Sequence, residues 1–163
     1  MSIRITRAYK TISAKAVGVI AAILPIDLLI NERANIYNGQ DRATARNSPM
    51  ANWQGRWRTI TKGRWTHRII TNISNWQNRR YGEVDYYLTQ ALSGYGCFNA
   101  FLYKRKRSNT EICKYCEAID DAEHMLFAVL NGMTQERYMR KNWAGLLWRT
   151  LPWTSWEKKM NGR

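Results

Sequence analysis

Acidic residues are scarce in this sequence. Its 163 residues carry 12 Asp and Glu against 26 Lys and Arg, a formal net charge of +14 and a pI near 10.1. Such an excess points to a polyanionic partner, because stacked positive charge needs counter-charge nearby. Cysteine is sparse too. Three is an odd number, unlike the even, denser sets of secreted disulfide scaffolds, so a reducing compartment with metal or free thiols is expected. Long hydrophobic runs are missing. The stretch at residues 17–24 is short, sits behind Arg4, Arg7, Lys10 and Lys15, and has no small-residue cleavage pattern. Extended to Ile30 it is broken by Pro25 and Asp27, which rules out a membrane span and leaves a soluble, intracellular protein as the expectation.

Catalytic constellations are also wanting. There is no glycine-rich phosphate loop, no nucleophile elbow and no His-Glu-x-x-His pattern. Two-metal polymerase chemistry needs clustered carboxylates, and only Asp120, Asp121 and Glu123 cluster. Glu83 and Asp85 read as caps of the helix that follows them, and His67 has no carboxylate near it in sequence. No catalytic centre is expected in this chain.

What the sequence does contain is apolar and aromatic. A hydrophobic fraction of 45%, with eight Trp and nine Tyr, excludes ordinary disorder and suits one domain's worth of folded chain. Residues 13–38 read as two helices. Ser13 can cap a run with Val17, Ile20, Ala21 and Leu24 at helical spacing, and Pro25 breaks it and starts the next segment. In that next segment Asp27 suits the helix dipole, Leu28, Leu29, Ile36 and Tyr37 supply an apolar face, and Asn38-Gly39 ends it. Residues 39–52 look like a connector or exposed hinge. The expected fold is mostly α, in three parts: a helical hairpin (1–40), a basic–aromatic helical middle (41–103), and a small degenerate zinc-knuckle-like segment with its tail (104–163).

The middle region carries the charge. Residues 42–82 hold nine cations and no acid, interleaved with Trp53, Trp57, Trp65, Trp76 and Tyr81. Trp53 and Trp57, four apart, share a helix face that Lys62-Gly63 brings to an end. These tryptophans read as core, since large aromatics are usually mostly buried. The cations read as phosphate-contacting: Arg56, Arg58, Lys62, Arg64, Arg68, Arg79 and Arg80 are candidate nucleic-acid-binding residues. Residues 83–103 hold no cation and read as buried helix around Val84, Tyr87, Leu88, Ala91 and Leu92. Lys104, Arg105, Lys106 and Arg107 then form a second candidate nucleic-acid cluster or a nuclear-localisation patch, which makes the expected compartment nuclear. The tail contains an amphipathic stretch with Tyr138, Trp143, Leu146 and Leu147.

Cys113-x-x-Cys116, seven intervening residues and His124 have the spacing of a zinc site: two thiolates from one turn, one imidazole from a following helix. A structural site needs a fourth ligand, and residues 127–130 (Phe, Ala, Val, Leu) offer none. Cys97, Asp121, Glu123 or a water could complete the shell. Without metal, the two cysteines would be free thiols and His124 a surface histidine.

Several stretches together resemble the region after the reverse-transcriptase domain in non-LTR retrotransposon polyproteins, above all the arthropod elements that insert into ribosomal DNA and their LINE-like relatives. They are the run from Ala8 to Ser13, the run from Val19 through Pro25 to Leu29, Glu32-Arg33, Ile36-Tyr37, Trp53-Gln-x-x-Trp57, and Thr61 to His67. The likeness continues through Gly82 to Gln90, Ser93 to Phe98, and Cys113-x-x-Cys116 with Asp121-Ala-Glu-His124. The resemblance implies a C-terminal polyprotein segment whose Cys-Cys-His-Cys motif helps hold nucleic acid. Cys113, Cys116 and His124 match the first three motif positions, and Val129 stands where the fourth should be. It also implies a parent polyprotein with RNA-directed DNA polymerase and endonuclease activities, neither centred here. The partners it implies are RNA and/or DNA and the remainder of the polyprotein, with no membrane. Two other functions are conceivable: metal-dependent catalysis through Asp120 and Asp121, or a decayed or co-opted fragment serving only as a protein-interaction module.

Overall fold

Helices dominate the computed structural model, which describes residues 2–80, 84–114 and 116–129, and among these no strand forms. The mostly α fold class is therefore what the chain adopts. Tyr81, Glu83 and the amphipathic stretch around Tyr138 to Leu147 lie outside the described residues. The chain divides into two compact units, Met1–Asn78 and Arg79–Arg163.

In the first unit a short helix α1 (Ser2–Ile5) packs on α2 (Ala14–Ile20). Ser13 precedes α2 as expected, yet its side chain makes no capping hydrogen bond; its carbonyl accepts the Val17 N–H at 2.9 Å. The helix stops at Ile20, short of Pro25, because Ala22 turns the chain with a φ of +54°. Pro25 then directly precedes α3 (Ile26–Tyr37), so both expected helices form. Ala16, Val17, Val19, Ile20, Leu24 and Leu28 are buried.

The connector expected at 39–52 is mostly helix. Helix α4 runs from Arg42 to Arg58, with Asp41 accepting hydrogen bonds from the Ala43 and Thr44 N–H groups at 2.9 and 3.0 Å. That carboxylate satisfies donors which no helical carbonyl can reach. Ala45, Pro49, Trp53 and Trp57 recur every four residues and are all buried, giving α4 one continuous apolar stripe. Burial of that stripe outweighs the hydrogen bond Pro49 cannot make. Helix α3 packs along α4, with Gly39 (φ +92°) in the turn between them.

Helices α5 (Arg64–Ile69) and α6 (Ile73–Gln77) complete the unit, fastened by polar tips of otherwise buried or bridging side chains. Trp57 Nε1 donates to the Ile70 carbonyl at 2.6 Å, and Trp76 Nε1 to the Ile20 carbonyl at 3.1 Å. Gln54 brackets the α5–α6 link, donating to the Thr71 carbonyl at 3.0 Å and accepting the Ile73 N–H at 2.8 Å. Gln77 reaches the Ala22 carbonyl at 3.1 Å. Carbonyls left over where α2 and α5 end thus find side-chain donors.

In the second unit, Asp85 caps α7 (Tyr86–Ser93) by accepting the Leu88 N–H at 2.7 Å, as its position predicted. Gly94, left-handed at φ +72°, ends that helix. Buried Gln90 then shapes the following turn, its Oε1 accepting the Cys97 N–H at 2.9 Å. Helix α8 (Asn99–Lys104) starts under Asp120, whose Oδ2 and carbonyl oxygen accept the N–H groups of Asn99 and Ala100, each at 3.0 Å. Leu88, Ala91, Leu92, Phe98, Ala100, Cys113, Ala122, Met125 and Leu126 are buried among the described residues of this unit.

Candidate nucleic-acid interface and metal site

Electrostatics in the first unit begins from a count. Its acidic residues are Asp27, Glu32 and Asp41, against twelve Lys and Arg. Each of the three is already engaged. Arg46 Nη1 lies 2.6 Å from Glu32 Oε2, and Arg56 Nη1 lies 2.6 Å from Asp27 Oδ2. Asp41 is spent on the cap of α4. Hydrogen bonding from Arg56 is the main reason Asp27 titrates below the usual carboxylate range; hydrogen bonds from Thr44 do the same for Asp41.

Those ion pairs were invisible to a count over residues 42–82, since both carboxylates come from α3. Of the candidate phosphate contacts, Arg56 therefore has a carboxylate partner within its own unit. Arg58, Lys62, Arg64 and Arg68 are exposed, running from the last turn of α4 through the loop into α5. Arg64 and Arg68, four apart on α5, share a face. The Arg64 guanidinium reaches the Ile60 carbonyl at 3.3 Å, and that of Arg68 lies 5.5 Å from the centre of the Trp65 ring. Trp53, Trp57 and Trp76 are buried, in accord with their reading as core, whereas Trp65 is only half-buried.

His67 lies under this surface. Its ring is tilted against Trp57 at 5.4 Å, and Nε2 is buried without a hydrogen-bond partner. Burial lowers its pKa below the ordinary histidine value, and the Arg64 charge pushes the same way. Only the neighbouring cations hint at this environment in the sequence.

In the second unit Arg80 is exposed and Arg79 half-buried, with burial lowering the pKa of Arg79. Lys104, Arg105, Lys106 and Arg107 are all exposed where α8 ends. The chain folds back there: the Arg107 N–H meets the Leu102 carbonyl at 2.8 Å, and Lys106 adopts a φ of +55°. Arg105 lies over the Phe101 ring at 5.3 Å. Cations at a helix C-terminus also complement its exposed carbonyls.

The metal-ligating spacing becomes a cluster. Ile112 and Ile119 form an antiparallel bridge, and the Cys113 N–H donates to the Ala118 carbonyl at 2.7 Å. Glu117, at φ +58°, turns the chain inside this small loop. His124 enters from the helical turn beginning beside it, where Asp121 Oδ1 accepts the His124 N–H at 2.7 Å. The ligand atoms of Cys113, Cys116 and His124 all lie within 4.8 Å of one another, and Cys116 Sγ is 3.2 Å from His124 Nε2. Tetrahedral zinc with Zn–S about 2.3 Å and Zn–N about 2.0 Å would set the sulfur–nitrogen separation at about 3.5 Å. The donor set and its spacing thus fit a metal ion. Cys113 is buried, His124 half-buried and Cys116 exposed. Among the described residues, Cys97, Asp121 and Glu123 are not brought into the group. Asp120 and Asp121 instead accept backbone N–H groups at 3.0 and 2.7 Å.

No helix among the described residues is long and apolar enough to cross a membrane. No family model matches the chain, and no solved structure matches it. Three curated proteins do. A retrovirus-related Pol polyprotein from the type-1 retrotransposable element R1 2 of Nasonia vitripennis is 29% identical over 72% of this chain and 34% of its own length. The corresponding polyprotein of element R1 of Bradysia coprophila is 36% identical over 45% of this chain, but only 7% of its own length. That of element R1 3 of Nasonia vitripennis is 26% identical over 74% of this chain and 38% of its own length. The chain therefore spans well under half of each relative. By these matches it is homologous to a segment of non-LTR retrotransposon polyproteins of the R1 type.

Proposed function

We propose that this chain is a nucleic-acid-binding segment of a non-LTR retrotransposon polyprotein. In this reading it lies downstream of the reverse-transcriptase domain and supports target-primed reverse transcription. One observation carries the reading: every carboxylate of the first unit is already bound to a partner, while exposed Arg58, Lys62, Arg64 and Arg68 crowd the α4–α5 junction. Phosphates are the counter-charge such a surface takes, and binding releases the cations condensed on the nucleic acid. Lys104 to Arg107 add a second exposed cluster.

Cys113, Cys116 and His124 would hold zinc, which would tie the loop around the Ile112–Ile119 bridge to the helical turn at His124. The partners in this reading are RNA or DNA and the remaining polyprotein, and the compartment is the nucleus. Polymerase and endonuclease chemistry would belong to other parts of the polyprotein.

The test is binding of a structured RNA and of a nicked DNA duplex across a salt series. Affinity for at least one should fall steeply, with the logarithm of the association constant linear in the logarithm of salt. Absent or salt-insensitive binding to both would refute the reading and favour a protein-interaction role. For the metal, elemental analysis should find about one zinc per chain, lost in Cys113→Ser; zinc-free protein purified without chelator would retire that part.

A further inference from the structure

Four tryptophans lie in the basic stretch, and three of them behave as core. Trp53, Trp57 and Trp76 are buried, and the ring N–H groups of Trp57 and Trp76 donate to backbone carbonyls. Trp65 departs from that pattern. It is half-buried in the first turn of α5, with Lys62, Arg64 and Arg68 exposed around it. At about 100° per residue, Arg68 stands between Arg64 and Trp65 around the helix, while Thr66 and Ile69 take the buried side. The Arg68 guanidinium lies 5.5 Å from the centre of the Trp65 ring. A flat, delocalised group thus already rests against the indole where the exposed cations converge. The second unit repeats the pairing: exposed Arg105 lies 5.3 Å over the half-buried Phe101 ring, beside Lys104, Lys106 and Arg107.

We propose that the Trp65 ring is a stacking platform for an unpaired nucleobase, so that the α4–α5 surface takes a single-stranded segment of nucleic acid. The proposal rests on the phosphate reading above and adds to it the class of strand. A guanidinium and a nucleobase are both planar and polarisable, and each is attracted to an indole face. On binding, the base takes the place of the Arg68 guanidinium against the ring, and Arg68 turns on its flexible stem to the adjoining phosphate. Bases inside a duplex have both faces covered by their neighbours, so only an unpaired or terminal base enters without the cost of unstacking.

The full chain is titrated with two single strands of about twelve residues, one of thymidine and one with the same sugar–phosphate backbone but no bases. Both present the same phosphates, so both should show the same salt slope. Wild-type protein should bind the thymidine strand about 5- to 150-fold tighter. That ratio should hold across the salt series, because stacking releases no counterions. Trp65→Leu keeps apolar bulk without an aromatic face and should remove most of the preference; Trp65→Phe should keep most of it. Both should leave duplex affinity at the wild-type value. In unmodified protein, a strand carrying 5-iodouracil should photocrosslink to Trp65, which reads the contact without any substitution.

Equal binding of the two strands with a steep salt slope would overturn the stacking platform and leave the phosphate reading standing. Binding to duplex alone, a preference that survives in folded Trp65→Leu, or crosslinks confined to other residues would overturn it as well. If neither strand, nor structured RNA, nor nicked duplex is bound, both readings fall together.

Discussion

Replacing Asp27 by Asn should strengthen nucleic-acid binding and steepen its salt dependence, although the residue removed carries no positive charge. In the native chain Arg56 Nη1 sits 2.6 Å from Asp27 Oδ2, and each side chain is 52% exposed. Because Arg56 holds the Asp27 carboxyl below its ordinary range, the pair is fully ionised at neutral pH and contributes no net charge. A phosphate must displace Asp27 before it can use Arg56. Once Asn stands there, that competition is gone. One additional phosphate contact adds about 0.9 to the slope of log K against log salt on a duplex, and about 0.7 on a single strand. At 0.1 M salt that is about tenfold in affinity. Exposed ion pairs contribute little to stability, so the melting temperature should change only slightly. The opposite perturbation, Arg64→Ala with Arg68→Ala, should flatten the duplex slope by about 1.8. Fluorescence anisotropy of a labelled RNA hairpin and a nicked duplex at four or more salt concentrations reads both slopes. If neither variant changes the slope while both keep the wild-type melting curve, the α4–α5 surface is not where phosphates bind.

Three further outcomes follow from the packing. Gly63→Ala should lose about 1–2 kcal/mol, because residue 63 stands at φ +80° and an added Cβ would lie 2.9 Å from the Ala16 Cβ; a melting temperature at or above wild type would contradict this. Trp57→Phe should cost about 1–3 kcal/mol by leaving the buried Ile70 carbonyl without its 2.6 Å donor, and an unchanged urea midpoint would show that bond to be dispensable. His67 titrates below its unfolded value through burial and then Arg64, so the unfolded chain binds the proton more readily. Its contribution to stability should be complete above about pH 6.5 and be lost as pH falls through the lower folded value. Melting curves from about pH 7.5 to 5.5 should therefore show a fall that His67→Phe flattens, and equal slopes in both proteins would dismiss the effect.

How much of this was legible in the sequence depended on how far apart the cooperating residues lie. The Cys113–Cys116 turn and its reach to His124 were readable because a few consecutive residues make that geometry. Helices α2 and α3 were readable from apolar spacing, as was the shared face of Trp53 and Trp57. The first half of α4 was not. Its sequence is polar and holds Pro49, and it is helical because Asp41 caps it and because Ala45 and Pro49 extend the tryptophan stripe into the core. Charge compensation was hidden for a related reason. Glu32 is fourteen residues from Arg46, and Asp27 is farther still from Arg56, so only the packing of α3 along α4 joins them. A window of sequence records how many charges are present, but partners are assigned by packed helices. Arg46 and Arg56 have their counter-charge supplied this way. The exposed cations proposed to meet phosphate accordingly concentrate at residues 58–68, where the end of α4 and the start of α5 carry Arg58, Lys62, Arg64 and Arg68.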